Sequence, residues 1–262
     1  MPYLVMKEIL KYTDFPSILI LRRVCRDFRY FIDHYMPPWN FKRVSVIIDH
    51  WKIHLHLEEW NTKSDIISII YKVMEHGVSV RQRVDWVSSH PITWENENFV
   101  DAFIQDFSWI LRNQKQKLNS VDIREYFELK RVSYEIPKYY TFFGCIKLEM
   151  MPLDMLKYKP SLKLKPNTRR IIDSFARALK SRTTPLKTEY ISLIVFDQEQ
   201  LVKILKNLDL DSIKSIEVER VKEGGSTTSE FLKVKELEQL EGWDNVKEVN
   251  KSLFRDYYKF LF

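Results

Sequence analysis

Glycine is scarce in this chain, five in 262 residues, and no low-complexity tract interrupts it, which excludes fibrous and disordered classes. Only two cysteines occur, Cys25 and Cys145. They lie far apart and form neither a CxxC pair nor a disulfide framework, which fits a reducing compartment. No apolar run approaches the length of a membrane span. Met1 to Lys11 is broken by Lys7 and Glu8 and shows no small-residue cleavage site, so no secretory signal is expected. These absences predict an intracellular protein of the cytoplasm or nucleus, with no membrane partner.

Catalytic patterns are equally sparse. His34, His76 and His90 stand alone, with no paired carboxylates and no Gly-x-Ser-x-Gly beside them. Gly224-Gly225-Ser226 lacks the Lys-Ser or Lys-Thr of a phosphate loop and reads as a flexible turn. His50, His54, His56 and Glu58 are the densest group of metal-ligand types. Alternation sets His54, His56 and Glu58 opposite Ile53, Leu55 and Leu57, so they read as the solvent side of a hairpin. Neither a metal nor a cofactor is expected, and the chain does not read as an enzyme.

With 45% hydrophobic and 30% charged residues, the composition is that of an ordinary globular chain. The net charge of +6 is mostly interspersed. One stretch concentrates it, Lys157, Lys159, Lys163, Lys165, Arg169 and Arg170, punctuated by Pro152, Pro160 and Pro166. It reads as a loop, with Lys163, Lys165, Arg169 and Arg170 as candidates for holding an acidic or phosphorylated substrate. A polyanion or nucleic-acid binder using residues 157–170 is the alternative, although no aromatic and basic recognition motif accompanies the cluster.

Three short helices are predicted first, Tyr3 to Lys11, Pro16 to Val24 and Arg26 to His34, closed by Pro37 and Pro38. Their apolar residues, including four in a row from Ile18 to Leu21, cannot all face one small core. A module of about forty residues is also near the lower limit for folding alone, so a partner is implied. Period-two alternation follows at Val44, Val46, Ile48, then Ile53, Leu55, Leu57, then Ile67, Ile69, Tyr71, Val73, and after Gly77 at Val78, Val80 and Val84. That is an antiparallel meander over 42–96.

From 97 to 262 helices and strands are expected to alternate. Phe99, Phe103, Phe107, Ile110 and Leu111 predict a helix from about Glu97 to Leu118, packed on the sheet, with a strand at Val121 and Ile123. Ile171, Phe175, Ala178 and Leu179 mark another helix, then Tyr190 to Val195 a strand, Gln198 to Leu208 a helix and Ile213 to Val218 a strand. Leu210, Ile213, Ile216 and Val218 have approximate counterparts in Leu240, Trp243, Val246 and Val249, which suggests units stacked as in leucine-rich repeats. The expected class is α+β or α/β: helices over 1–41, then an irregular repeat-like domain over 42–262.

The first forty residues resemble an F-box. Pro2, Val5, Ile9 and Leu10 fall at the motif spacing, followed by Asp14-Phe15 at the turn and by Leu21, Val24, Cys25, Phe28, Phe31 and Ile32, with the run Leu-Arg-Arg-Val-Cys-Arg. Met1 stands where that motif opens with Leu, and Leu4 where an acidic residue is usual. Ser174 to Pro185, Tyr190 to Val195, Leu201, Leu205, Leu208-Asp209 and Leu240-Glu241-Gly242-Trp243 resemble the FTH domain that follows the F-box in a large nematode family. This resemblance implies a substrate-recognition adaptor of an SCF-type cullin-RING ubiquitin ligase, bridging a protein substrate to a Skp-family adaptor and through it to cullin. It assigns Pro2, Val5, Ile9, Leu10, Leu21, Val24, Cys25, Phe28 and Ile32 to the Skp contact. A purely structural interaction protein remains the other non-catalytic reading.

Overall fold

Period-two burial organises a single large sheet in the computed structural model, which describes residues 3–35, 39–49, 51–60, 66–84, 87–88, 90–125, 164–220, 237–240, 242–251 and 257–262. The predicted meander is present as β1 (Phe41–Ile48), β2 (Lys52–Glu59), β3 (Ile66–Met74) and β4 (Gly77–Val84), each antiparallel to the next. Gly77 sits at φ 147°, and a Cβ there would meet the Trp94 carbonyl at 2.1 Å. The turn therefore requires glycine. Short strands β5 (Val87–Ser88) and β6 (Ile92–Glu95) both pair with β4.

The chain then returns through α4 (Phe99–Asn113) to β7 (Leu118–Glu125), which lies parallel to β1 on the side away from the meander. Helix α5 (Leu164–Lys180) leads to β8 (Thr188–Val195), and α6 (Gln198–Leu205) to β9 (Ser215–Arg220), each strand parallel to the one before. In-register apolar residues run across the seam, for example Leu193, Ile123, Val46, Leu55 and Ile69, all essentially buried. Helices α4, α5 and α6 cover this face, α4 beside α5 and α5 beside α6. The architecture is α+β, and the buried side chains form one cluster from Met6 in the first helix to Phe260 near the end.

Three expectations are corrected. Helix α4 ends at Asn113 rather than near Leu118, because the buried Gln114 side chain leaves helical geometry to bond Phe41 N at 3.0 Å and Phe41 O at 2.9 Å. The basic segment is not a loop from Leu164 onward. Pro166 falls in the first turn of α5, where a missing N–H breaks no helical bond. The third unit does not stack on the second, since β11 (Tyr257–Leu261) comes between β9 and β10 (Glu248–Lys251), antiparallel to both. Trp243, in a 3₁₀ turn, packs edge-on against Phe260 of that inserted strand at 5.2 Å, which favours the insertion.

The opposite face of the sheet carries the alternate, polar positions. Glu217, Ser192, Asp122, Ser45, His56 and Ser68 follow one another in register across six strands. Neighbouring rows half-bury these side chains, so the histidine pair is not simply solvated. Burial pushes His54 down to about 3, with Lys52 and His56 adding to the effect, and burial pushes His56 down to about 4. No helix among the described residues is long and apolar enough to cross a membrane.

The histidines give a pH prediction. Between about pH 6.5 and 4 the unfolded imidazoles take up protons that the folded ones refuse, so stability is lost as pH falls through that window and is unaffected by this pair above it. Urea midpoints should decline from about pH 6.5 to 5, and His54→Asn with His56→Asn should flatten the decline. An unchanged slope in the double variant would show that these histidines are not the cause.

Candidate docking surface on the N-terminal helices

The three predicted helices are α1 (Tyr3–Lys11), α2 (Phe15–Val24) and α3 (Arg26–Tyr35). The Asp14 carboxylate caps α2 by accepting the Ser17 N–H at 2.7 Å, with Pro16 in the first turn where proline is tolerated. Cys25, in extended geometry, ends α2, and its Sγ accepts the Phe28 N–H at 3.5 Å to start α3.

Apolar residues divide between two directions. Met6, Leu10, Phe15, Ile18, Leu19, Phe31 and Ile32 are buried. Phe15 reaches beyond the helices to pack edge-on against Phe41 of β1 at 4.9 Å and Trp39 at 5.3 Å, and it stacks on Trp109 of α4 at 6.1 Å. Facing away are Leu4 (71% exposed), Val5 (44%), Ile9 (41%), Tyr12 (80%) and Val24 (62%). At helical spacing Leu4, Val5 and Ile9 share one arc of α1, with Tyr12 exposed in the turn just after it, and Met6 and Leu10 lie on the other arc.

Of the residues assigned from sequence to the Skp contact, Val5, Ile9, Val24 and Cys25 are exposed. Leu21 and Phe28 are half-buried against the core, while Leu10 and Ile32 lie fully inside it. Pro2 lies outside the described residues. Leu4 and Tyr12 join the exposed group without having been singled out. The α1 wheel was the available signal, since apolar residues opposite the Met6 and Leu10 side have no internal partner.

Two arginines seat this module on the sheet domain. Arg23 forks onto Glu97 with two contacts of 2.8 Å and reaches Asp106 at 2.9 Å and the Ala102 carbonyl at 2.6 Å, stacking over Trp94 at 4.3 Å. Arg22 binds Asp33 at 2.8 Å, lies 3.8 Å from Asp106, and covers the Trp109 ring at 4.6 Å. Asp106 also accepts the buried Tyr71 hydroxyl at 2.8 Å. Burial raises the Asp106 carboxyl above its ordinary value against the pull of both guanidiniums and Tyr71. Burial works to lower the Arg23 guanidinium, but Asp106 and Glu97 leave it raised. The Tyr71 hydroxyl is driven well above its ordinary value, first by burial and then by Asp106.

The basic candidates are placed differently. Arg169 pairs with Asp197, the residue that caps α6, and lies 5.2 Å over the Phe196 ring. Arg170 pairs with Asp101 of α4 at 2.6 Å. Both guanidiniums therefore tie α5 to its neighbours. Lys165 lies in the first turn of α5, and Lys163 lies outside the described residues. Among the described residues no three His, Cys, Asp or Glu side chains gather as a metal site.

Comparison with known families finds an F-box domain over residues 1–40 and an FTH domain over residues 169–261. The first match covers α1 to α3 and the second runs from α5 to β11, with the meander, α4 and β7 between them. No curated protein and no solved structure matches the chain.

Removing the shared carboxylate tests the seat. Asp106→Ala leaves two guanidiniums buried without it and should cost about 3–5 kcal/mol of stability, read from urea denaturation. A loss under about 1 kcal/mol would mean that the network contributes little to holding the helices.

Proposed function

We propose that this protein, an F-box protein with an FTH domain, is the substrate-recognition adaptor of an SCF-type cullin-RING ubiquitin ligase. Helices α1 and α2 bind the Skp adaptor, and the sheet domain holds the protein to be modified. The observation that carries this reading is the exposed arc of Leu4, Val5, Ile9, Tyr12 and Val24 on helices whose inner residues are already buried in the core shared with the sheet. Large apolar side chains clustered at 41–80% exposure are disfavoured in water and are stabilised by a partner's apolar surface. Residues 1–40 supply this arc and match the F-box, whose general partner is the Skp adaptor.

Such an adaptor needs no catalytic group of its own. Fixing a substrate beside a charged ubiquitin carrier makes a bimolecular encounter effectively intramolecular, and the gain depends on a fixed geometry. The Arg22, Arg23 and Asp106 network supports that role, because it seats the docking helices directly on the sheet domain. An intracellular site of action, cytoplasm or nucleus, accompanies it. The engagement of Arg169 and Arg170 by Asp197 and Asp101 weighs against a polyanion-binding role for that segment.

Exposed and buried positions make different predictions. Ile9→Asp and Val24→Asp should leave thermal unfolding near that of the unmodified chain, yet reduce capture of a purified Skp adaptor by about tenfold or more. Leu10→Asp, at 2% exposure, should instead unfold the helices. Capture should persist in high salt, since apolar docking is not screened. Full binding by folded Ile9→Asp and Val24→Asp variants would sink the assignment.

A further inference from the structure

Of the ten prolines in the chain, only Pro185 follows a residue with a hydroxyl, Thr184. Lys187 stands three residues after that hydroxyl, so the stretch runs hydroxyl, proline, leucine, cation. Its ends are anchored. The Ser181 and Arg182 N–H groups close α5 on the Arg177 and Leu179 carbonyls, and the fully buried Leu186 is bonded to Asn207 and Asp209. Between these anchors Thr183, Thr184 and Pro185 are exposed and make no backbone–backbone hydrogen bond among the described residues. The Thr184 hydroxyl bonds none of those residues either. A residue before proline is kept extended by the clash with the proline ring, so Thr184 already has the backbone form in which a kinase cleft takes its substrate.

The second feature is a cation without an anion. Arg182 donates from Nε to the Thr184 carbonyl at 3.2 Å, from Nη2 to the Gln114 carbonyl at 2.7 Å and from Nη1 to the Leu111 carbonyl. No described carboxylate pairs with it, and burial pushes the guanidinium below its ordinary value unopposed. Each terminal nitrogen carries two N–H groups, so each keeps one for a further acceptor.

From these two features we infer that Thr184 is a phosphorylation site for a proline-directed protein kinase, and that Arg182 holds the resulting phosphate. Proline after the acceptor suits an enzyme that offers no partner to an N–H there, since proline has none. Lys187, 61% exposed and 3.7 Å from Asp209, supplies the cation that such kinases read three residues on. In the transfer Thr184 Oγ1 attacks the γ-phosphorus of Mg-ATP and the bond to the β,γ-bridging oxygen breaks. ADP leaves, and the hydroxyl proton passes to the carboxylate base of the kinase. The product places a charge of about −1.5 to −2 beside a guanidinium whose present partners are neutral carbonyls. Charge-assisted bonds are stronger than neutral ones, so the phosphate completes Arg182 and tightens the connection from α5 to β8. None of the docking arc on α1 and α2 takes part, so this site stands apart from the adaptor role.

The purified full chain would be incubated with a cyclin-dependent kinase and Mg-ATP, and the phosphate located by mass spectrometry. One phosphate should appear, on Thr184, and incorporation should fall at least about tenfold in a Pro185→Ala variant shown to unfold at the temperature of the unmodified chain. Phosphorylation should raise the urea midpoint and bring the phosphate's own titration, followed by phosphorus NMR, below its usual value of about 6. Arg182→Gln should abolish both differences, each taken between the phosphorylated and unphosphorylated forms of the same variant, because this change also removes bonds to α4. No incorporation, incorporation at Thr183 instead, or equal incorporation in folded Pro185→Ala would overturn the site. A phosphate on Thr184 that leaves the urea midpoint unchanged and titrates alike with Arg182 or Gln present would overturn Arg182 as its holder.

Discussion

Asp106 is a carboxylate at 2% exposure with Arg23 and Tyr71 bound to it and Arg22 close by, and the relation between the two ends of the molecule depends on it. A charge so placed is stable only while its partners remain, because moving away would leave ions in an apolar interior. The arginines come from α2, the carboxylate from α4 and the hydroxyl from β3. The docking helices are thereby held on the sheet by directional bonds as well as by Phe15 against Phe41 and Trp109. The guanidiniums also cover the Trp94 and Trp109 rings, so charge and aromatic surface are buried together.

This seat explains how three short helices can keep apolar residues in water. Their inner residues are completed by the sheet domain, which frees the outer arc from any duty to the core. The sheet divides its two faces in a similar way. One face is apolar and covered by α4, α5 and α6, while the other holds polar rows in which Arg124 meets Asp122 and Lys259 meets Glu217.

Much of this was legible in the amino-acid sequence. Alternation at Val44, Val46, Ile48, Ile53, Leu55 and Leu57 marked the meander, and Phe99, Phe103 and Phe107 the helix packed upon it, because side-chain period is a local property of strand and helix geometry. The motif at residues 1–40 was legible for the same reason, being a spacing along one chain. Less was visible of the site itself. Ile9 and Leu10 look alike as neighbouring apolar residues, yet one is 41% exposed and the other 2%. The basic run from Lys163 to Arg170 drew attention by density, and the structure commits its two arginines to Asp197 and Asp101.

The sequence by itself determined the three-helix motif, the four meander strands and their apolar face, and the succession of helix and strand from α4 to β9, but not the short strands β5 and β6 or the closing β11. Only the tertiary structure decided that β1 lies parallel to β7, that β11 separates β9 from β10, and that Asp106 meets Arg22 and Arg23. Periodicity follows from backbone geometry within a few residues, whereas pairing and charge compensation are settled between segments far apart in the chain, when a shared core fixes their register.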